Sequence, residues 1–281
     1  MKKSIATLII NTLHKYRLYL LNCIISKIMH IIKYKTYPSV KYYYKERLYE
    51  TRWNKIVYIS ERPGLNMNIN SLSATLKATY CYFYAPQVGD VVIDFGTGMG
   101  EEAVVFGSLV GDFGRVVCIE ANPLLAKAFN LRALENFNGH VTTHNIALAE
   151  SNGIVTINVP IDSYVAGSTV HGTSGTAQEV VALTFDEIFK RIGLDEVNFL
   201  KMNIEGAEGY MNNINATCIR KVNNLCISCH DFRHNEHQHG EYFITKSKVK
   251  SFLLENGFEI FERHSEDVII KDHIYAKRLL I

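Results

Sequence analysis

Gly96, Gly98 and Gly100 alternate within Val91-Val92-Ile93-Asp94-Phe95-Gly96-Thr97-Gly98-Met99-Gly100-Glu101-Glu102. Glycines so placed let the backbone approach a bound small molecule closely. The spacing restricts what that molecule is. A dinucleotide fingerprint needs its third glycine at position 101, which is Glu101, and no Lys-Ser/Thr pair follows the glycines as a P-loop requires. Glu101 and Glu102 compete with a phosphate for the positive end of the helix that follows. The turn therefore points to a ligand without phosphates and disfavours a nicotinamide dehydrogenase. For Glu101, beside the glycines, a role in the site is expected; Glu102 serves equally well as a helix-start acid. A second acid, Glu120, ends the apolar run Arg115-Val116-Val117-Cys118-Ile119, about 20 residues beyond the glycines. An acid at that distance accepts hydrogen bonds from ribose hydroxyls in nucleotide-binding βαβ units.

These residues need a strand, a tight turn and a helix to hold them. Strand patterns fall at Asp90–Gly96, Arg115–Asn122, Val141–Leu148, Asn198–Ile204 and Leu225–Asp231. Helical patterns separate them at Glu101–Leu109, Pro123–Asn136, Phe185–Ile192 and Glu208–Arg220. Pro123 suits a first helical turn. Such alternation predicts an α/β, doubly wound, mostly parallel Rossmann-like sheet. A short helix over 70–88 should lead into it. Gly153–Val159 and Glu179–Leu183 read as a strand pair flanking a Gly/Ser/Thr loop from Gly167 to Thr176, which is either a substrate lid or a plain surface excursion. Near the end, Lys246–Asn256 is helical with Gly257 at the C′ position. Two strand-like runs, Phe258–Glu262 and His273–Leu280, follow.

The ordered pieces of this chain resemble the FkbM-type S-adenosylmethionine-dependent methyltransferases. The likeness runs from about residue 88 to 280, over most of one domain. It rests on the glycine turn, Ile119-Glu120-Ala121-Asn122-Pro123, Asn145-Ile146-Ala147-Leu148, Val181-Ala182-Leu183-Thr184-Phe185-Asp186-Glu187-Ile188 and Ile227-Ser228-Cys229-His230-Asp231-Phe232. The most diagnostic piece is Phe199-Leu200-Lys201-Met202-Asn203-Ile204-Glu205-Gly206-Ala207-Glu208. The resemblance implies the class I fold: seven strands, the last antiparallel. It implies S-adenosyl-L-methionine as cofactor. It places cofactor contacts at Asp94, Gly96, Thr97, Gly98, Gly100, Glu101, Glu120, Ala121, Asn122, Asn145 and Ala147. The family usually has Asp where this chain has Asn203, so that position lacks a carboxylate to act as base or metal ligand.

Methyl transfer to an alcohol needs the donor and acceptor aligned and a proton removed. Groups for this should stand at the carboxyl ends of the middle strands. His230 is the first choice of base, since its ordinary pKa lies near working pH. Glu205 would orient it or bind the acceptor, and Asp231 stands beside it. Glu208, one turn on, reads as a solvated helix-start acid. Lys201, inside a strand, should pair with a carboxylate. His230, His234, His237 and His239 form a His-rich run better suited to a polar substrate loop than to metal. The leading function is O-methylation of a hydroxyl on a sugar, glycan or other natural product. A divalent-metal-dependent methyltransferase using Glu205, His230 and Asp231, and a cofactor-binding module without turnover, are the alternatives.

The chain has 281 residues and a net charge of +2. Residues 1–55 hold 12 Lys/Arg against 2 Asp/Glu, while the rest holds 18 against 26. Two regions are expected: a basic, amphipathic helical extension over 1–70 and a methyltransferase domain over 71–281. Residues 4–34 read as one long helix. Asn11, Lys15, Asn22, Ser26 and Lys33 share one stripe, and Ile9, Leu13, Tyr16, Leu20, Ile24, Ile28 and Ile31 cover the other side. Arg17 and Lys27 interrupt that side, and Lys15, Asn22 and His30 add polar groups to the same stretch, too many for a membrane span, and no small-residue cleavage site follows as in a signal peptide. Residues 1–35 either lie on an anionic membrane surface or dock on the body or a second subunit. Nucleic acid is not an expected partner. Six scattered cysteines in apolar runs indicate a reducing compartment, so a cytoplasmic place is expected; on the membrane reading of residues 1–35 the contact is peripheral, at the inner membrane surface.

Overall fold

The computed structural model describes residues 5–53, 56–63, 69–132, 134–159, 175–235 and 240–279. The chain opens with two helices, α1 (Ile5–Lys15) and α2 (Tyr19–Tyr34). The expected single helix is broken at Arg17, whose φ of 60° ends α1. The Leu18 N–H bonds back to the Leu13 carbonyl there. Among the described residues this first helical run ends at Tyr34. The Tyr/Lys-rich stretch beyond it forms an antiparallel meander: β1 (Ser39–Tyr43), β2 (Leu48–Trp53) and β3 (Ile56–Ser60). Alternating aromatic and β-branched residues favour that pleated surface.

Helix α3 (Ile69–Tyr80) leads to β4 (Val91–Phe95), α4 (Glu101–Val110), β5 (Arg115–Ile119) and α5 (Pro123–Arg132). Then come β6 (Val141–His144) and β7 (Ala147–Leu148). The expected strand Val141–Leu148 is split because Asn145 turns back, its amide donating to the carbonyls of Glu120 and Ala121. β7 instead joins β8 (Gly153–Val159) and β9 (Thr176–Leu183) in a separate sheet ordered β7-β9-β8. Most of the Gly/Ser/Thr loop between β8 and β9 lies outside the described residues.

Helix α6 (Phe185–Ile192) begins at Thr184, whose hydroxyl accepts from the Glu187 N–H. β10 (Val197–Met202) follows. The expected helix Glu208–Arg220 is a 3-10 stretch, Ala207–Asn213, and a short α7 (Ala216–Ile219) capped by Asn215. Gly209, Asn212, Asn213 and Asn215 are poor helix formers. The chain finishes with β11 (Val222–Ser228), α8 (Asp231–Asn235), α9 (Lys246–Glu255), β12 (Phe258–Phe261), α10 (Val268–Lys271) and β13 (His273–Arg278).

The main sheet has seven strands in the order β12-β13-β11-β10-β4-β5-β6. β6, β5, β4, β10 and β11 are parallel, and β13 runs antiparallel to β11 and β12. This is the predicted α/β class with its antiparallel last strand. Both faces are covered, one by Phe185, Ile188, Leu253 and their neighbours, the other by Leu72, Phe106 and Phe129. A third apolar cluster joins Val57 and Ile59 of β3 to Met99, Leu125, Ile157 and Val180, so the meander shares core with the body. The strand order reverses at β4, between β5 and β10. Ligands of open α/β sheets bind outside such a switch point.

Candidate active site

A cleft with about 880 Å³ of atom-free space, part of it open to solvent, lies at that switch point. Its walls come from the ends of β4, β5 and β10, from the start of α5 and from the β7–β8 region. Ile119, Leu125, Ile146, Leu148 and Ile157 supply apolar wall, while Glu120, Asn203, Glu205 and Tyr242 supply polar groups. Among the described residues no Lys or Arg lines the cleft.

The glycine turn closes one end. Gly96, Gly98 and Ala121 line the cleft, as does Ala147. Gly98 has φ of +58°, and a Cβ built there meets nothing within 4 Å. Its side is therefore open space for a ligand. Gly100, at φ +87°, has a different reason: a Cβ would lie 2.0 Å from the Phe129 ring. Thr97 donates its hydroxyl to the Asp94 carbonyl and so shapes the turn.

Glu120 is 6% exposed and stands on the cleft wall. Its carboxylate accepts the Gly98 N–H at 2.7 Å and the Asn122 N–H at 2.8 Å. Burial raises its pKa to about 7, against the lowering effect of those two N–H groups. Asn122 is buried and accepts the Leu124 N–H at the start of α5. Asn145 braces the loop after β5 rather than lining the cleft.

Asp94, Glu101 and Gly100 are also not among the cleft's walls. Asp94 is fully buried and pairs with Lys201 at 2.9 Å, as the position of Lys201 inside a strand predicted. Lys201 also donates to the Gly96 carbonyl at 3.0 Å and stands 3.9 Å from Glu102. Burial works to lower the Lys201 pKa, but Asp94 and Glu102 outweigh it and hold the ammonium charged. Burial raises Glu102 to about 7. Glu101 accepts a hydrogen bond from the buried Tyr58 hydroxyl of β3. The site role expected of Glu101 rests on its place beside the glycines; the Tyr58 contact comes from a meander that the sequence did not announce.

The second group gathers around His230. His230 Nδ1 lies 3.0 Å from Glu208 Oε1, and its Nε2 lies 3.7 Å from Glu205 Oε1. Glu208 is fully buried, not solvated, and its two oxygens accept the N–H groups of Ile204 and Gly206 at 2.9 Å each. Glu205 lines the cleft with φ of 58° and pairs with Arg233. A positive φ in a non-glycine residue at such a place is a mark of a functional constraint. Burial tends to lower the His230 pKa, but Glu208 and then Glu205 overcome it and raise it. Asp231 points elsewhere: its Oδ1 accepts the N–H groups of Thr245 and Lys246 at the start of α9. Asn203 lines the cleft and donates to the Tyr80 hydroxyl at 3.2 Å. His237 and His239 lie outside the described residues. Among the described residues no group of three or more His, Cys, Asp or Glu could hold a metal ion.

Sequence reasoning missed Glu208 as the partner of His230 and Tyr242 as a cleft wall. Glu208 carried a signal, being six residues beyond Met202, where β10 ends. Tyr242 carried none.

Residues 93–260 match the family model of the methyltransferase FkbM domain. Residues 8–165 match that of protein-L-isoaspartate(D-aspartate) O-methyltransferase. No curated protein matches in sequence. Among solved structures, fibrillarin of Aeropyrum pernix in complex with S-adenosyl-L-methionine is similar at 13% identity, with 85% of this chain and 97% of that one covered and a TM-score of 0.41. An O-methyltransferase from Bacillus cereus in complex with SAH is similar at 9% identity, covering 75% and 80%, with a TM-score of 0.44. A precorrin-6y C5,15-methyltransferase from Geobacter metallireducens is similar at 13% identity, covering 74% and 86%, with a TM-score of 0.37.

Proposed function

The chain belongs to the methyltransferase FkbM domain family, and on that premise we propose that it methylates a hydroxyl of a sugar, glycan or other natural product. The family's cofactor is S-adenosyl-L-methionine, and the cleft fits it. Glu120 presents a buried carboxylate to ribose hydroxyls, the space beside Gly98 is open, and apolar walls suit a flat purine. When bound, the cofactor supplies a methyl group on a cationic sulfonium.

The observation that carries hydroxyl chemistry is His230 held between Glu208 and Glu205. A neutral hydroxyl is a weak nucleophile and must shed its proton as the new bond forms. Glu208 fixes the ring through Nδ1, which leaves Nε2 to take a proton on the side of Glu205. Glu205, on the cleft wall, orients the acceptor hydroxyl, and Arg233 fixes Glu205 in turn. His230 receives the proton, and Glu208 stabilises the imidazolium so formed. Asp231 is left out of this chemistry, since it caps α9.

The test is transfer of labelled methyl from S-adenosylmethionine to a panel of hydroxyl acceptors, including free sugars, glycans and polyhydroxylated extracts. A methyl ether is expected, stable to alkali. Label released by mild alkali as methanol would identify a carboxyl ester instead and overturn the reading.

A further inference from the structure

Helix α2 is docked the wrong way round for a soluble protein. Asn22, Ser26 and His30, on one polar stripe, are completely buried against the meander. Asn22 donates to the Tyr49 hydroxyl at 3.0 Å and to the Ile10 carbonyl at 3.2 Å, and the Tyr19 ring stacks on Tyr42 at 3.9 Å. The opposite stripe is apolar and open to solvent: Leu20, Leu21, Ile24, Ile28, Ile31 and Ile32 are each between 37% and 67% exposed. A surface helix ordinarily turns its apolar stripe to the core. Helix α1, in contact with α2, adds Ile5, Leu8 and Ile9, and Tyr16 follows directly after it, all exposed. Single exposed apolar residues mean nothing, but continuous stripes on two neighbouring helices mark an interface.

Charge identifies the occupant. Lys15, Arg17, Lys35, Lys41, Lys45 and Arg47 are exposed on or next to these helices. The first 55 residues carry 12 Lys/Arg against two acids, and one of those acids, Glu50, is buried. A second copy of the chain would bring two such basic regions together. A bilayer containing anionic lipid satisfies both features at once, with apolar side chains in the acyl boundary and cations among the headgroup phosphates. No described helix is long and apolar enough to cross a membrane, so the helices lie in the plane of the surface. We propose that α1 and α2 hold the protein on the face of an anionic bilayer, the polar stripe of α2 gripping the body and the apolar stripe entering the lipid.

The experiment is sedimentation of the full chain with phosphatidylcholine vesicles, with and without about a third phosphatidylserine. The protein should pellet with the anionic vesicles and be weakened at about 0.5 M salt, where screening cuts the headgroup attraction. Ile24→Ser with Ile28→Ser should lower the partition coefficient by at least about tenfold, since two side chains no longer enter the lipid. The same variant should bind S-adenosylhomocysteine as the native chain does, because both residues are exposed and far in sequence from the cleft walls. A native protein that ignores anionic vesicles overturns the proposal, as does a double variant that pellets undiminished. A native dimer that this variant turns into a monomer also overturns it and assigns the face to a second copy.

Discussion

Glu208 Oε1 lies 3.0 Å from His230 Nδ1, and the N–H groups of Ile204 and Gly206 hold Glu208 in place. A buried carboxylate so fixed sets both the orientation and the proton affinity of the ring. His230 titrates above its ordinary value, since Glu208 and Glu205 outweigh the burial that would lower it. The folded pKa thus exceeds the unfolded one. Its contribution to stability is full below about pH 6.5 and is lost as pH rises through the raised value. Glu208→Gln should remove most of that pH dependence, move the basic rise of the rate profile to lower pH and cut turnover roughly tenfold or more. Urea unfolding across pH and a pH–rate profile check this; unchanged profiles would separate Glu208 from His230.

Glu120 should make cofactor binding depend on pH. Its carboxyl is held at about 7 by burial, and donating ribose hydroxyls favour the ionised form. Affinity for S-adenosylhomocysteine should therefore strengthen as pH rises through about 7 and level off above it. Glu120→Ala should weaken binding by about 1–3 kcal/mol and flatten the curve. Titration calorimetry at several pH values reads both.

Lys201 sits at 2.9 Å from Asp94 with both side chains fully buried. Removing the cation strands Asp94 and Glu102 without their counter-charge. Lys201→Met should cost about 3–5 kcal/mol of stability, measured by denaturant unfolding. A neutral result would mean that the buried pair adds nothing to stability.

Gly98 and Gly100 should fail differently. Gly98→Ala places a Cβ in open cleft, so the fold should lose only about 1–2 kcal/mol for the left-handed backbone while S-adenosylhomocysteine affinity falls. Gly100→Ala drives a Cβ into the Phe129 ring, so stability should fall further. Thermal unfolding and calorimetry on the pair distinguish loss of space for ligand from loss of packing.

The sequence alone determined the sheet and the glycine turn. Period-2 and period-3.6 apolar patterns are local, and a strand buried on both faces such as Val91–Phe95 leaves an unbroken apolar run. It also determined that Lys201 needs a carboxylate, because a cation inside a central strand has no water. The place of Glu120 on the cleft wall was legible from its distance to the glycines. Tertiary structure decided which acids do what. Glu101 was claimed by Tyr58, 43 residues upstream, and Glu208 by His230, 22 residues downstream. Asp231, adjacent to His230, was taken by the start of α9. Such pairings depend on which chain segments the fold brings side by side, and a carboxylate carries no local mark of its future partner. The same holds for α2. Its amphipathic pattern was readable, but which stripe would meet the body depended on the Tyr49 hydroxyl, set by the meander that follows it.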